Sequence, residues 1–223
     1  MNVLGMDTST AATSACLLRD DGEFFATDPA AARLLDPPAH SRELMPALVD
    51  ALDRGGLDWG DLDAIAVGVG PGGFTGLRIG VATARSLAHA TGIALRPVSS
   101  LAALAAGIDA PLRLPLIDAK RGELFAALHD ERGSELVEPF AVRPEELLAR
   151  LGETAQAALA AGDGSLRFRA VLEASGVRVA PGGSELHVVR GLHVCRLAAD
   201  VAPAAPEAVF PNYLRHPDAV PSQ

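Results

Sequence analysis

The stretch at residues 63–92, DAIAVGVGPGGFTGLRIGVATARSLAHATG, constrains the fold most, because it changes structural period part-way along. Residues 64–69 are a short apolar run rich in β-branched side chains. A Gly70-Pro71-Gly72-Gly73 cluster follows, and then a long, nearly uncharged segment without proline. The pattern predicts a buried strand, a tight turn and a helix over 75–90. Glycines in such a turn let backbone N–H groups approach another group closely, and a helix N-terminus adds partial positive charge there. Two readings fit: contact with an anion, a phosphate or a partner chain, or a plain tight turn of an α/β domain. The loop matches neither G-x-G-x-x-G nor G-x-x-x-x-G-K-[ST].

Around this unit the chain repeats an order of elements. Residues 2–6, 13–18 and 23–26 read as an antiparallel meander, with turns at Asp7-Thr8-Ser9-Thr10 and Asp20-Asp21-Gly22. Residues 27–39, with three prolines, read as an irregular loop. Leu44, Met45, Leu48, Val49 and Leu52 recur at helical spacing and Gly55-Gly56 ends the run; Pro46 implies a helix that starts near Met45 or is kinked. A strand at 93–98 and a helix at 101–106 complete the order βββαβα. Residues 112–117, 123–129 and 135–142 then read as strands, 144–151 as a helix, 157–161 as a strand, 166–174 as a helix and 177–179 as a strand. The same order thus recurs with little residue identity. The expected fold is α/β with two lobes, residues 1–106 and a smaller one at 107–223.

In both halves the first strand ends on an aspartate, Asp7 and Asp118. Two such units face to face would form a cleft suited to a magnesium-nucleotide, with Asp7 holding a metal-bound water and the hydroxyls of Thr8, Ser9 and Thr10 donating to phosphate oxygens. In the alternative, Asp7 starts an Asx turn whose backbone the hydroxyls satisfy.

The 223 residues, 49% of them apolar, suffice for one large or two small domains. A net charge of −9 argues against a free-standing nucleic-acid binder, since that affinity comes from Lys and Arg neutralising phosphates. Any nucleic acid would be held through a partner. Neither a signal peptide nor a membrane span is expected, which places the protein in the cytoplasm. Cys16 and Cys195 lack zinc-knuckle spacing and read as small buried residues.

Five stretches together resemble the TsaB (YeaZ) family: Asp7-Thr8-Ser9-Thr10, His40-Ser41-Arg42-Glu43-Leu44-Met45-Pro46, the GPGGFTGLRIG run at 70–80, Asp118-Ala119-Lys120-Arg121-Gly122-Glu123, and Pro211-Asn212-Tyr213-Leu214-Arg215. The resemblance implies two RNase H-like lobes of the sugar kinase/actin/Hsp70 (ASKHA) type. It implies a role in making threonylcarbamoyladenosine in tRNA, as an accessory subunit of the catalytic paralogue TsaD with the ATPase TsaE joining them. Where TsaD-like sequences carry a histidine metal site after the fifth strand, this chain reads Ser99-Ser100-Leu101-Ala102-Ala103-Leu104, and no two of its histidines stand at i, i+4. Neither a catalytic nor a metal-ligating residue is therefore expected. Asp7, Thr8, Ser9, Thr10 and Asp118 would form at most a vestigial nucleotide site, with no cofactor on the isolated chain and ATP with magnesium only at the interface of the complex. The competing reading is a free-standing small-molecule kinase or ATPase of the ASKHA superfamily. Nothing in the residues supports proteolysis.

The helix at 75–90 carries only Arg78, Arg85 and His89 as clearly polar side chains, and small residues recur at Gly76, Gly80, Ala84 and Ala88. One face can pack on a sheet; the remainder would be an apolar patch of the kind that marks an interface. With the helix at 43–52 beside it, the expected docking surface for a TsaD-like partner comprises Leu44, Leu48, Gly76, Gly80, Ala82, Thr83 and Leu87. The same surface would form a homodimer when the partner is absent.

Overall fold

The computed structural model describes residues 1–27 and 29–214. Its first half contains β1 (Val3–Asp7), β2 (Ser14–Leu18), β3 (Phe24–Thr27), α1 (His40–Gly55), β4 (Ala64–Gly68), α2 (Phe74–Thr91), β5 (Ala94–Val98) and α3 (Ser100–Ala106). The second contains β6 (Leu112–Lys120), β7 (Glu123–Asp130), β8 (Glu135–Val142), α4 (Leu147–Leu151), α5 (Thr154–Ala157), β9 (Leu159–Ala161), α6 (Asp163–Arg167), α7 (Arg169–Ala174), β10 (Arg178–Val179) and α8 (Gly191–Ala198).

Two five-stranded mixed sheets result, ordered β3-β2-β1-β4-β5 and β10-β9-β6-β7-β8. Read from the other edge, the second order is that of the first, with β6 in the place of β1 and β9 in the place of β4. The repeat legible in the sequence is therefore a repeat of topology: an antiparallel meander followed by parallel crossovers in each half.

The period-2 alternation of the strands assigns each face. On β4, Ile65 and Val67 join Leu4, Met6 and Leu17 under α1 and α2, whereas Ala64 and Ala66 join Val3 and Cys16 on the opposite face. That second core also takes Leu101 and Leu104 of α3, Val194 and Cys195 of α8, and Ile117, Phe125 and Ala127 of the second sheet. The other face of the second sheet packs on α4, α5 and α7 through Leu147, Leu151, Ala155 and Leu172. The layers run α1/α2, sheet, α3/α8, sheet, α4/α5/α7, and the middle helices are shared.

Several elements differ from expectation. α1 runs unbroken from His40 with Pro46 inside it, at an exposed position where the carbonyl it leaves unbonded can face water. The loop at 27–39 contains a 3-10 turn, Ala31–Leu35. The helix expected at 166–174 is two short helices meeting at Phe168, and the strand expected from 157 starts at Leu159, after α5. α8 had no counterpart in the sequence reading. It packs on the first sheet, where a Cβ on Gly5 would lie 2.5 Å from Cys195 Sγ, and Arg96 Nη1 donates to Ala198 O at 2.8 Å and Val201 O at 2.6 Å. A cation on the terminal carbonyls of a helix complements its dipole. Among the described residues no helix is long and apolar enough to cross a membrane.

Candidate functional site: a sealed turn, an open turn and the outer face of a helix

The β1–β2 turn opens with an Asx turn at Asp7, but the hydroxyls of Ser9 and Thr8 bond the Asp7 carboxylate and α2 and not the backbone of the turn itself. Asp7 Oδ1 accepts from Ser9 N at 2.8 Å and from Ser9 Oγ at 2.6 Å, and Oδ2 accepts from Ser100 Oγ at 2.7 Å. Burial pushes the Asp7 carboxyl up from its ordinary value, against the pull of these hydrogen bonds. Ser100 brackets Gly70 as well: its Oγ accepts from Gly70 N at 3.1 Å and its own N–H donates to Gly70 O at 2.9 Å. A magnesium ion needs open carboxylate oxygens. Asp7 is buried and does not line the cleft between the sheets, so no step through a metal follows from it.

The glycines of the central stretch exist for this turn. Thr8 Oγ1 donates to Gly76 O at 2.8 Å and Gly73 N donates to Ser9 O at 2.7 Å. A Cβ on Gly76 would lie 2.1 Å from Thr8 O, and one on Gly80 would lie 2.3 Å from Thr8 Oγ1. The small-residue stripe thus faces inward, onto the hairpin. Thr10 is buried, and its hydroxyl has no hydrogen-bond partner among the described residues.

Asp118 occupies the equivalent position on β6 but opens onto a cleft of about 810 Å³ between the two sheets. Thr8, Ser9, Thr10 and the first turn of α2 line one side; Asp118, Lys120, Asp163 and Arg167 line the other. Asp118 Oδ1 accepts from Lys120 N, and Oδ2 receives Lys120 Nζ at 2.8 Å and Arg167 Nη1 at 3.1 Å. Its N–H donates to Asp163 Oδ1 at 3.0 Å. Burial, with the negative charge of Asp118 adding to it, pushes Asp163 up to about 6, against backbone N–H groups and Lys120.

His40, at the start of α1, is buried against Gly76. Its Nδ1 lies 2.8 Å from Thr13 Oγ1, which donates to Glu43 Oε2 at 2.8 Å; Glu43 Oε1 accepts from Arg33 at 2.6 Å. Thr13 has one proton and gives it to Glu43, so His40 Nδ1 carries the hydrogen. Burial lowers the pKa of His40, of His129 on β7 and of His187. His187 Nδ1 accepts from Gly162 N at 3.1 Å, holding the turn before α6. His216 and Arg215 lie outside the described residues.

The docking surface read from the sequence needs correction. Leu44, Leu48, Gly76 and Gly80 are buried within the chain, because α1 and α2 turn these residues toward the first sheet and the Thr8 turn. Ala82 is exposed, and Thr83 and Leu87 are half-buried. The outward residues of α2 follow a helical stripe, Phe74, Arg78, Ala82, Ser86 and His89, and those of α1 include Met45 and Val49. In the sequence Met45 and Val49 read only as apolar positions of the helix, since their spacing is also that of a core-facing stripe.

Residues 37–220 match the family described as TsaD: tRNA N6-adenosine threonylcarbamoyltransferase. The chain is similar to the tRNA threonylcarbamoyladenosine biosynthesis protein TsaB of Escherichia coli (strain K12), with 30% identity over 227 residues, 97% of this chain and 95% of that protein. An uncharacterized protein of Mycobacterium leprae (strain TN) is 38% identical over 162 residues, which are 70% of this chain but 44% of that protein's own length. Among solved structures, an uncharacterized Pseudomonas aeruginosa protein, titled as similar to peptidase YEAZ, superposes with a TM-score of 0.78 at 27% identity, covering 96% of this chain and 99% of that one. That agreement matches the two-lobed α/β fold expected from the repeat.

Proposed function

The chain belongs to the TsaB (YeaZ) family, and from that premise we propose that it is a non-catalytic scaffold subunit for tRNA threonylcarbamoyladenosine modification, which docks on a TsaD-like transferase and activates it. The observation that carries this reading is the division of labour at the first sheet. Asp7, the residue best placed for metal chemistry, is closed by Ser9 and Ser100, while Met45, Val49, Phe74 and Ala82 stay exposed on α1 and α2. Apolar side chains grouped on two neighbouring helices are the usual core of an interface. In this reading the first sheet with α1 and α2 carries the docking face, α8 and the segment at 204–212 pack on that same sheet, and the second sheet lies beyond the cleft. The chain self-associates through that face when alone. A TsaE-like ATPase joins the assembly, ATP and magnesium are held at the shared interface, tRNA is reached through the complex, and the work is done in the cytoplasm.

A free-standing kinase or ATPase of the same superfamily is the second reading, favoured by the cleft that brings Lys120 and Arg167 opposite Thr8, Ser9 and Thr10. ATP turnover and threonylcarbamoyladenosine formation, measured for the purified chain alone and with TsaD-like and TsaE-like proteins added, separate the two. The scaffold reading expects neither activity from the chain alone and both from the mixture. Turnover by the chain alone would sink it. Val49→Glu should weaken partner binding at least tenfold, about 1.4 kcal/mol, without moving Tm, because Val49 is already 42% exposed.

A further inference from the structure

The tail after α8 returns along α2 and changes the chemistry of its outer face. Ala204 N donates to Leu95 O at 2.8 Å, Val209 is buried in the core beneath α2, and Asn212 N donates to Val69 O at 2.7 Å. These anchors set two aromatic rings beside the helix. Tyr213 lies 5.3 Å from Phe74, centroid to centroid, and its hydroxyl accepts from Arg78 Nε at 3.2 Å. The Arg78 guanidinium stacks on Phe74 at 3.8 Å, and that of Arg85 lies 5.3 Å over Phe210. All three rings remain substantially exposed.

Stacking of this kind fixes the plane of a guanidinium and leaves its N–H edge free for a bidentate acceptor. Among the described residues neither Arg78 nor Arg85 meets a carboxylate, although the chain carries 28 acidic residues against 19 basic ones. Two positioned arginines on α2 that meet no carboxylate among the described residues are complementary to carboxylates on another protein. We propose that the tail completes the docking face, and that the strip of Arg78, Arg85, Phe74, Phe210 and Tyr213 binds carboxylates on the paralogous partner. A second copy of this chain fits less well: a two-fold axis through α2 would set these arginines against their own equivalents. The inference rests on the docking reading above and names the chemistry by which that face selects its occupant.

Calorimetry of the full chain with the TsaD-like paralogue of the same organism, at 50 and 300 mM NaCl, tests it, with sedimentation velocity of each variant alone. The wild type should bind more weakly at high salt. Arg78→Glu with Arg85→Glu should lose at least tenfold in affinity and the salt dependence with it, while self-association is unchanged, since the change sets glutamates against glutamates across a two-fold axis. Arg78→Lys with Arg85→Lys, which keeps charge but not the planar fork, should fall between; it also reads the strip should the glutamate pair fail to fold. Tyr213→Leu should cost several-fold with an unchanged melting profile. Unchanged affinity and unchanged salt slope in both arginine pairs overturn the inference. If they are unchanged while Val49→Glu still abolishes binding, only the strip is lost; if Val49→Glu is also silent, the docking reading falls with it.

Discussion

The β1–β2 and β6–β7 turns occupy equivalent places in two sheets of one topology, yet they have opposite characters. Each begins with an aspartate. Asp7 is closed by two serine hydroxyls and an N–H, under a helix whose glycines let it sit against the turn. Asp118 is held by Lys120 and Arg167 at the mouth of a cleft, and Lys120, Arg121 and Gly122 all adopt left-handed backbone with φ of 63°, 55° and 84°. A repeated unit can thus tie the same buried residue to serine hydroxyls in one copy and to two basic side chains lining a cleft in the other. The serine-tied copy is the one that carries α2.

The sharpest way to break the comparison is to add atoms where the first turn has no room. Gly76→Val should cost about 3 kcal/mol or more, because its Cβ would overlap Thr8 O, a backbone atom that cannot swing away. Gly122→Ala, at the open turn, meets nothing within 4 Å and should cost only the left-handed backbone penalty, about 1–2 kcal/mol. Urea unfolding of both variants gives the two numbers, and equal losses would erase the distinction.

Acid titration gives the next effect. Burial raises Asp163 from 3.8 to about 6, so its neutral form favours the fold. That contribution is full below 3.8 and is lost as pH rises through about 6. Asp163→Asn should therefore gain on the wild type between pH 4 and 6, by at most about 3 kcal/mol, and stay level above. A difference that shrinks as pH rises would reverse the assignment. The histidines act in the other direction: their lowered values add stability that is present above 6.5 and lost as pH falls, in wild type and variant alike.

Ser100→Ala should cost about 1–3 kcal/mol, since it leaves Asp7 Oδ2 buried without a donor. Lys120→Ala, its counterpart at the open turn, should cost less than about 1 kcal/mol, the Lys120 side chain being 64% exposed. Thermal melts of the two should differ by several degrees; a larger loss from Lys120→Ala would mean that the open turn is the structural one.

Much of this was legible in the chain. Residues 64–69 and 75–90 gave β4 and α2 within a residue or two, and left-handed Gly56 and Gly92 end α1 and α2 where glycine is favoured. The βββαβα order recurred as read. α8 is not legible although Gly191, Leu192, Val194, Cys195 and Ala198 lie on one helical face, because eight residues give a weak periodic signal and Arg96, 102 residues before Ala198, holds the end of the helix. Phe168, between α6 and α7, had no glycine or proline to announce the break.

The outer face of α2 shows where local pattern stops. Period and composition determined that α2 is a helix with too much apolar surface for a single contact, and that Gly76, Gly80, Ala84 and Ala88 share a side. They could not say which side is buried, because a helix apolar on two faces has no unique inward direction. The tertiary structure decided it by bringing Thr8 against Gly76 and Gly80 and Ser100 against Asp7. Such contacts join residues 68 and 93 positions apart. Helical and strand periods arise within a few residues of backbone, whereas the partner of a buried hydroxyl or carboxylate is chosen by whichever distant segment the sheets carry to it.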